Sequence, residues 1–161
     1  MAILPIETER EGRNAILRAR SEEVSDILAQ DIQQFIRDMR DTLAHTETGI
    51  GLAAPQVGKN LRIFVAAPEL GLNQTVFINP VIIKLSEEKE LMEEGCLSVP
   101  GLYGKTARVN SLKVEAYNER GRKFKMKADG LIAQLVQHEI GHLDGALFKD
   151  IANNLTEVTK R

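Results

Sequence analysis

The sequence predicts an α+β fold in which a central metal-binding helix packs against an antiparallel or mixed β-sheet. Helical periodicity occupies one early and one late segment, while the middle is rich in β-branched and aromatic residues. Within that middle, two stretches alternate apolar and polar residues on either side of a turn. The resulting order of helix, strands, hairpin and helix is typical of α+β domains.

The first twenty residues are polar and weakly patterned, and we interpret them as an extended arm over the surface. A helix is predicted from Ser21 to near His45, because apolar residues then recur at steps of three or four. Ser21 is expected to cap this helix, and His45 to face solvent near its end. The stripe that predicts core packing consists of Val24, Leu28, Ile32, Phe35, Met39 and Leu43.

Strands follow in the middle of the chain. They are predicted at residues 61–66, 75–78 and 81–85, with Asn79 and Pro80 separating the last two. The alternating stretches 111–117 and 122–128 surround residues 118–121 and predict a hairpin with one buried and one solvated face.

A second helix is predicted over residues 130–143. Leu131, Leu135, His138 and His142 lie on one stripe of it, so an apolar face continues into two histidines. We therefore expect this helix to be the buried central one, packed against the sheet.

Size and composition indicate one domain over residues 1–161. With 43% hydrophobic residues and a net charge of -2, the chain can build a core and shows no electrostatic preference for nucleic acid or anionic membrane. No apolar run approaches the roughly twenty residues that span a bilayer, and the start does not resemble a secretory signal. The single cysteine, Cys96, excludes an internal disulfide and suits a reducing cytoplasm, where we expect the protein.

Two histidines carry the strongest chemical signal. His138 and His142 are four residues apart, so on a helix both imidazoles can reach one divalent cation. Glu139 is placed to take a proton from water activated by that cation. The alternative is a pair of surface histidines on an amphipathic helix. The chain has only three histidines, and this spacing beside a glutamate favours a hydrolytic metal site.

Four of residues 49–56 (GIGLAAPQ) are glycine or alanine, which allows close approach of the backbone to a ligand or to another element. The segment ends in Gln56, whose amide could donate a hydrogen bond to a developing oxyanion. Taken alone, the segment would be interpreted as a tight connection between a helix and a strand.

Cys96 offers a soft thiolate that would complete a three-ligand site with two imidazoles and leave a position open for water. A lone cysteine is more often a small buried hydrophobe. Gly95 and Pro100 predict irregular or edge structure here, from which the thiol can reach a neighbouring helix. The backbone N–H of Leu97 would then lie beside the metal as a second oxyanion donor.

In order and spacing, three segments resemble the motifs of peptide deformylases: residues 49–56, 94–98 (EGCLS) and 138–142 (HEIGH). The resemblance extends over nearly the whole chain. It implies the deformylase fold and removal of the formyl group from the N-terminal formylmethionine of newly made bacterial or organellar proteins. It also implies ferrous iron as the native metal, with zinc or nickel able to occupy the site, and ribosome-associated nascent peptides as partners.

The same resemblance implies roles for individual residues. Metal ligands would be Cys96, His138 and His142. Glu139 would act as general acid and base, while Gln56 and the N–H of Leu97 would stabilise the tetrahedral intermediate. The implied substrate-binding residues are Ile50, Gly51, Gly95, Leu131 and Leu135.

The chain departs from the family pattern at two positions. Gly141 replaces the usual aspartate of the metal helix, so Arg108 could lack its usual partner or pair with Asp144 or another acid. Gln134 stands where relatives more often have an apolar residue near the methionine pocket. These departures leave two alternatives open: a hydrolase with altered acyl or side-chain preference, and a non-catalytic metal-binding or peptide-binding relative.

Overall fold

The computed structural model describes residues 2–9 and 12–158. Residues 1, 10–11 and 159–161, which belong to the predicted arm and domain, lie outside this description. The α-helices are α1 (Ala15–Arg18), α2 (Gln30–His45) and α3 (Gly130–Leu143). The strands are β1 (Gly51–Ala53), β2 (Ile63–Ala66), β3 (Val76–Leu85), β4 (Lys89–Cys96), β5 (Val99–Val109), β6 (Ser111–Tyr117), β7 (Lys123–Asp129) and β8 (Asn153–Glu157).

The strands form two antiparallel sheets, one of five strands in the order β1-β2-β3-β6-β7 and one of three in the order β4-β5-β8. The predicted α+β class is confirmed. Of the two sheet types allowed by the prediction, antiparallel is the one found. The predicted hairpin is also confirmed, because β6 and β7 pair from Ser111 opposite Asp129 to Tyr117 opposite Lys123.

Helices α2 and α3 cover opposite faces of the five-stranded sheet. Strand β2 has the sequence IFVA and is buried on both sides. Alternate residues of a strand point to opposite faces, so Ile63 and Val65 pack in the cluster that contains α2, whereas Phe64 packs in the cluster that contains α3. Phe64 also stacks on Phe77 at a centroid distance of 4.4 Å. This core holds α3 in the central position that the sequence predicts.

The prediction that a helix begins at Ser21 is wrong, because α2 begins at Gln30. The preceding segment is held by long-range hydrogen bonds instead. The N–H of Ser21 donates to the carbonyl of Leu143, and the N–H of Val24 donates to the side chain of Asn79. These contacts bury Val24 without a helix, so its agreement with the helical stripe is coincidental. His45 ends α2 and is exposed, as predicted.

One prediction about the strands is also wrong, and one hairpin is missing from the predicted elements. Asn79 and Pro80 do not separate two strands, because β3 continues through them with a register shift and a left-handed Asn79 at φ 52°. The long β4–β5 hairpin was not predicted, because β4 (KELMEEGC) is mostly charged and largely exposed. The predicted surface arm contains the short helix α1, whose Leu17 is fully buried.

Helix α3 spans the residues that the sequence predicts, Gly130–Leu143. It follows β7 directly and packs on β1, β6 and β7. Within the described part of the chain, no helix is long and apolar enough to cross a membrane.

Candidate metal centre and active site

Helix α3 presents two imidazoles to one point. His138 and His142 lie one turn apart, and their Nε2 atoms are 3.2 Å from each other. Cys96 is the last residue of β4, an edge strand of the three-stranded sheet, and its Sγ lies 3.3 Å from Nε2 of His142. One donor atom from each residue lies within 4.8 Å of the others. The structure thus brings together the three residues predicted as ligands.

The spacing of these donors fits a tetrahedral metal ion. Bond lengths of about 2.05 Å to nitrogen and about 2.3 Å to sulfur place neighbouring tetrahedral donors about 3.3 Å (N to N) and about 3.6 Å (S to N) apart. The corresponding separations in the protein are 3.2 and 3.3 Å. Three protein donors leave one tetrahedral position for water or substrate, which is typical of a catalytic metal site.

Glu94 orients one of the imidazoles. Its Oε2 lies 2.6 Å from Nδ1 of His138 and 2.6 Å from Nη2 of Arg108. Burial alone would raise the pKa of Glu94, but hydrogen bonds from His138 and Arg108 outweigh burial and hold that pKa well below its usual range. An ionised carboxylate only accepts hydrogen bonds. Nδ1 of His138 therefore carries the proton and Nε2 offers its lone pair to the metal position.

The sequence predicts no role for Glu94, although the residue lies within the EGCLS motif. A signal was available. Glu94 and Cys96 are two residues apart, and residues at that spacing in a strand point to the same face. A carboxylate beside a thiolate ligand on one strand face, near a predicted histidine pair, would have indicated a partner for one imidazole.

Glu139 lies beside the donors in a buried setting. Its side chain is buried, and burial raises the pKa of Glu139 to about 7. A carboxyl group with that pKa can both accept and return a proton near neutral pH. Among the described residues, its Oε2 has no hydrogen-bond partner and Nδ1 of His142 has none either. Because Gly51 has no Cβ, β1 can lie close to the side chain of Glu139; a Cβ at position 51 would lie 2.9 Å from its Oε1.

Gln56 lies next to the thiol of Cys96. Its Oε1 accepts from the N–H of Ala53 at 2.9 Å, which fixes the amide orientation. Its Nε2 then points to Oγ of Ser98 at 3.1 Å and to Sγ of Cys96 at 3.5 Å. The predicted oxyanion donor is therefore next to the metal position, held by a 3-10 turn at Ala54–Val57.

A cavity of about 500 Å³ opens onto this centre. That volume is within the usual range for small-molecule and peptide side-chain sites, roughly 300–1,000 Å³. His142 is the one predicted site residue that does not line it, because it is buried behind Cys96 and His138. The predicted residues that line the cavity are Ile50, Gly51, Gln56, Gly95, Cys96, Leu97, Leu131, Leu135, His138 and Glu139.

Comparison with known proteins shows the family to which this chain belongs. The sequence pattern of one family, described as polypeptide deformylase, matches residues 6–158. This chain belongs to the polypeptide deformylase family. A peptide deformylase of Acinetobacter baumannii is 42% identical over 156 residues, covering 96% of this chain and 86% of the relative.

Solved deformylase structures share the fold. A peptide deformylase from Synechococcus elongatus, solved in complex with actinonin, superposes with a TM-score of 0.85 at 39% identity, covering 94% of this chain and 79% of that one. The peptide deformylase from Thermotoga maritima superposes with a TM-score of 0.86 at 33% identity, covering 95% and 99% of the two chains. The deformylase-like fold predicted from the motifs is confirmed.

Arg108 has an acidic partner in this chain although position 141 is glycine. Arg108 pairs with Glu94, not with Asp144, whose carboxylate lies 2.9 Å from Arg62. The alternative that Arg108 pairs with another acid is therefore the one found. A Cβ at Gly141 would meet nothing closer than 4.0 Å, so close packing does not require glycine at this position.

Proposed function

We propose that this protein removes the N-formyl group from the N-terminal formylmethionine of newly synthesised polypeptides. The observation that carries the proposal is the convergence of three metal-ligand donors and a buried glutamate at one end of a cavity. The family membership supports the same reaction.

Cys96, His138 and His142 would hold the metal ion. A divalent cation in that position supplies positive charge that polarises a carbonyl oxygen and acidifies water. We propose ferrous iron as the native metal, with zinc or nickel able to occupy the site, because thiolate and imidazole ligands accept all three. Glu94 keeps His138 in the tautomer that a metal ligand requires.

Glu139 moves the proton in the proposed reaction. Water adds to the formyl carbon while Glu139 accepts a water proton, and the carbonyl oxygen becomes negative. The amide of Gln56 and the backbone N–H of Leu97 donate hydrogen bonds to that oxygen. The C–N bond then breaks, Glu139 returns the proton to the amine nitrogen, and formic acid leaves with the oxygen of the water and gives up its proton to solvent as formate.

The cavity walls would bind the peptide. Ile50, Gly51 and Gly95 line it, and their backbone groups would bind an extended chain. Leu131 and Leu135 line the part next to α3 and would contact the methionine side chain. A formyl group carries only hydrogen on its carbonyl carbon, so a narrow site excludes larger acyl groups by shape.

The proposed setting follows from the proposed substrate. Formylmethionyl termini are carried by nascent chains, so we place the protein at ribosome-associated peptides in the cytoplasm. A single cysteine that must stay a thiolate favours a reducing compartment. We also propose one catalytic domain over residues 1–161, which the family match over residues 6–158 supports.

Glu139→Gln tests the proposal. Protein purified without oxygen and loaded with Fe(II) or Ni(II) should release formate from a formylmethionyl peptide. Loss of the general acid and base should lower kcat by roughly 10²- to 10⁴-fold, while metal content stays the same. Glu87→Gln makes the same chemical change in an exposed residue outside the cavity and should keep full activity.

Two outcomes would contradict the proposal. Faster release of acetate from acetylated peptides than of formate from formylated ones would indicate altered acyl preference. Bound metal without turnover, and without any difference between wild type and Glu139→Gln, would indicate a non-catalytic relative.

A further inference from the structure

Glu94 is surrounded by more donors than the histidine and the arginine. Its Oε1 accepts hydrogen bonds from Oγ1 of Thr106 at 2.7 Å, from Nε of Arg108 at 3.0 Å and from Nε2 of Gln134 at 3.3 Å. We call Glu94, Thr106, Arg108 and Gln134 the Glu94 network. Rotation about the last bond of a glutamate is only weakly restrained by its own torsional preference. Donors on both oxygens are what fix the plane of this carboxylate.

Thr106 contributes to this network without facing the substrate. It lies on β5 opposite Met92 of β4, it is fully buried, and it does not line the cavity. Its hydroxyl points to Oε1 of Glu94 at a short distance, typical of a bond from a hydroxyl to a charged acceptor. A valine would fill the same space without this bond, so the hydroxyl acts through Glu94.

Gln134 contributes from the metal helix itself. It lies one turn before His138, and its Nε2 donates to the carbonyl of Glu93 at 2.8 Å as well as to Oε1 of Glu94. One carboxamide therefore joins α3, which carries two ligands, to β4, which carries the third. Gln134 also lines the cavity, so its side chain can contact the substrate, whereas that of Thr106 cannot.

We propose that Thr106 and Gln134 are positioning residues for the metal centre. They fix the carboxylate of Glu94 in the plane that His138 requires, and so they set how tightly the three ligands hold a metal ion. This role depends on the proposed function only in that a metal is bound; it does not depend on which acyl group is removed.

Zinc release from Thr106→Val tests the role. The full chain is loaded with Zn²⁺, and transfer of the zinc to an excess of a chromophoric chelator is timed. We expect release about three- to tenfold faster than from the wild type. This is at or below the lower end of the roughly 10–100-fold that follows loss of a direct partner of a metal ligand. Thr106→Ser keeps the hydroxyl and should restore the wild-type rate.

Thr42→Val is the matched control. Thr42 is also buried, and its hydroxyl bonds to the carbonyl of Asp38 at 2.7 Å and to the N–H of Leu4 at 2.9 Å, away from the metal centre. It should lower the unfolding midpoint and leave zinc release unchanged. Release from Thr106→Val as slow as from the wild type, or equally fast from Thr106→Ser, would overturn the proposal.

Gln134→Leu tests the same role with a second variant if Thr106→Val fails to fold. It should also accelerate zinc release, and it should change both KM and kcat because Gln134 lines the cavity. Thr106→Val should lower kcat and leave KM unchanged. If Gln134→Leu released zinc at the wild-type rate, Gln134 would not be a positioning residue for the metal centre. If the wild type bound zinc but released no formate, the proposed function would be contradicted. The comparison of zinc-release rates would still test the positioning role.

Discussion

The contacts of Glu94 allow us to predict how much its replacement by glutamine lowers the stability and the metal affinity of the protein. The Glu94 side chain is 4% exposed and the Arg108 side chain 12% exposed, so the ion pair between them is largely shielded from water. Every described partner of Glu94 is a donor, and these bonds range from 2.6 to 3.3 Å. A glutamine offers one acceptor oxygen and directs an NH₂ group at donors. Arg108 would be left buried without its counter-charge.

The expected cost follows from that loss. Removing one partner of a buried ion pair lowers the free energy of unfolding by about 3–5 kcal/mol. In a protein of this size that corresponds to a fall in melting temperature on the order of 10 °C. His138 would also lose the acceptor that fixes its tautomer, so metal affinity should fall about 10- to 100-fold.

Denaturant unfolding of the metal-free protein and chelator competition of the metal-loaded protein measure the two effects separately. Glu115→Gln is the control, because Glu115 also pairs with a cation at 2.7 Å, but that cation, Lys123, has a 56% exposed side chain. Water screens that pair, so the unfolding midpoint should scarcely move. If Glu94→Gln matched the wild type in both unfolding free energy and metal affinity, the assignment of Glu94 as the support of His138 would be refuted.

Three further predictions concern other parts of the molecule. Gly141→Ala should raise the unfolding free energy by about 0.5–1 kcal/mol, since its Cβ would meet nothing closer than 4.0 Å; a lower denaturation midpoint would contradict this. Gly51→Ala should lower the free energy of unfolding by about 1–3 kcal/mol and lower kcat, because the added Cβ would lie 2.5 Å from Cδ1 of the buried Leu135. An unchanged free energy of unfolding and an unchanged kcat would show that β1 can move away from α3. Hydrogen bonds from Arg18 hold the pKa of Glu9 well below its usual range, so ionised Glu9 stabilises the fold above its unfolded pKa of about 4.3 and loses this contribution as pH falls through the lower folded pKa. Glu9→Gln should therefore flatten the acid limb of a plot of stability against pH, and identical acid limbs would disprove the assignment.

The elements predicted correctly are those whose signals are local. Helix α3 follows from the spacing of apolar residues and histidines within fourteen residues, and the β6–β7 hairpin from alternation about residues 118–121. The start of α2 depends instead on bonds from Ser21 to Leu143 and from Val24 to Asn79, which link residues distant in sequence. No periodicity within residues 21–29 contains that information.

The site was predictable to a similar extent. Cys96, Gln56 and His138 were singled out by residue type and spacing, and the structure brings them together. The Glu94 network could not be inferred in full, because it needs the register that places Thr106 opposite Met92. That register belongs to a hairpin whose exposed, charged strand carries no apolar pattern.

Formate release is the most direct test of the central claim. Metal-loaded wild-type protein is incubated with a formylmethionyl peptide and its acetylated counterpart, and formate and acetate are quantified together with the free amine. We expect formate in one-to-one ratio with new amine, little acetate, and loss of both formate and amine on removal of the metal by a chelator. A protein that retains its metal yet releases no formate would contradict that claim.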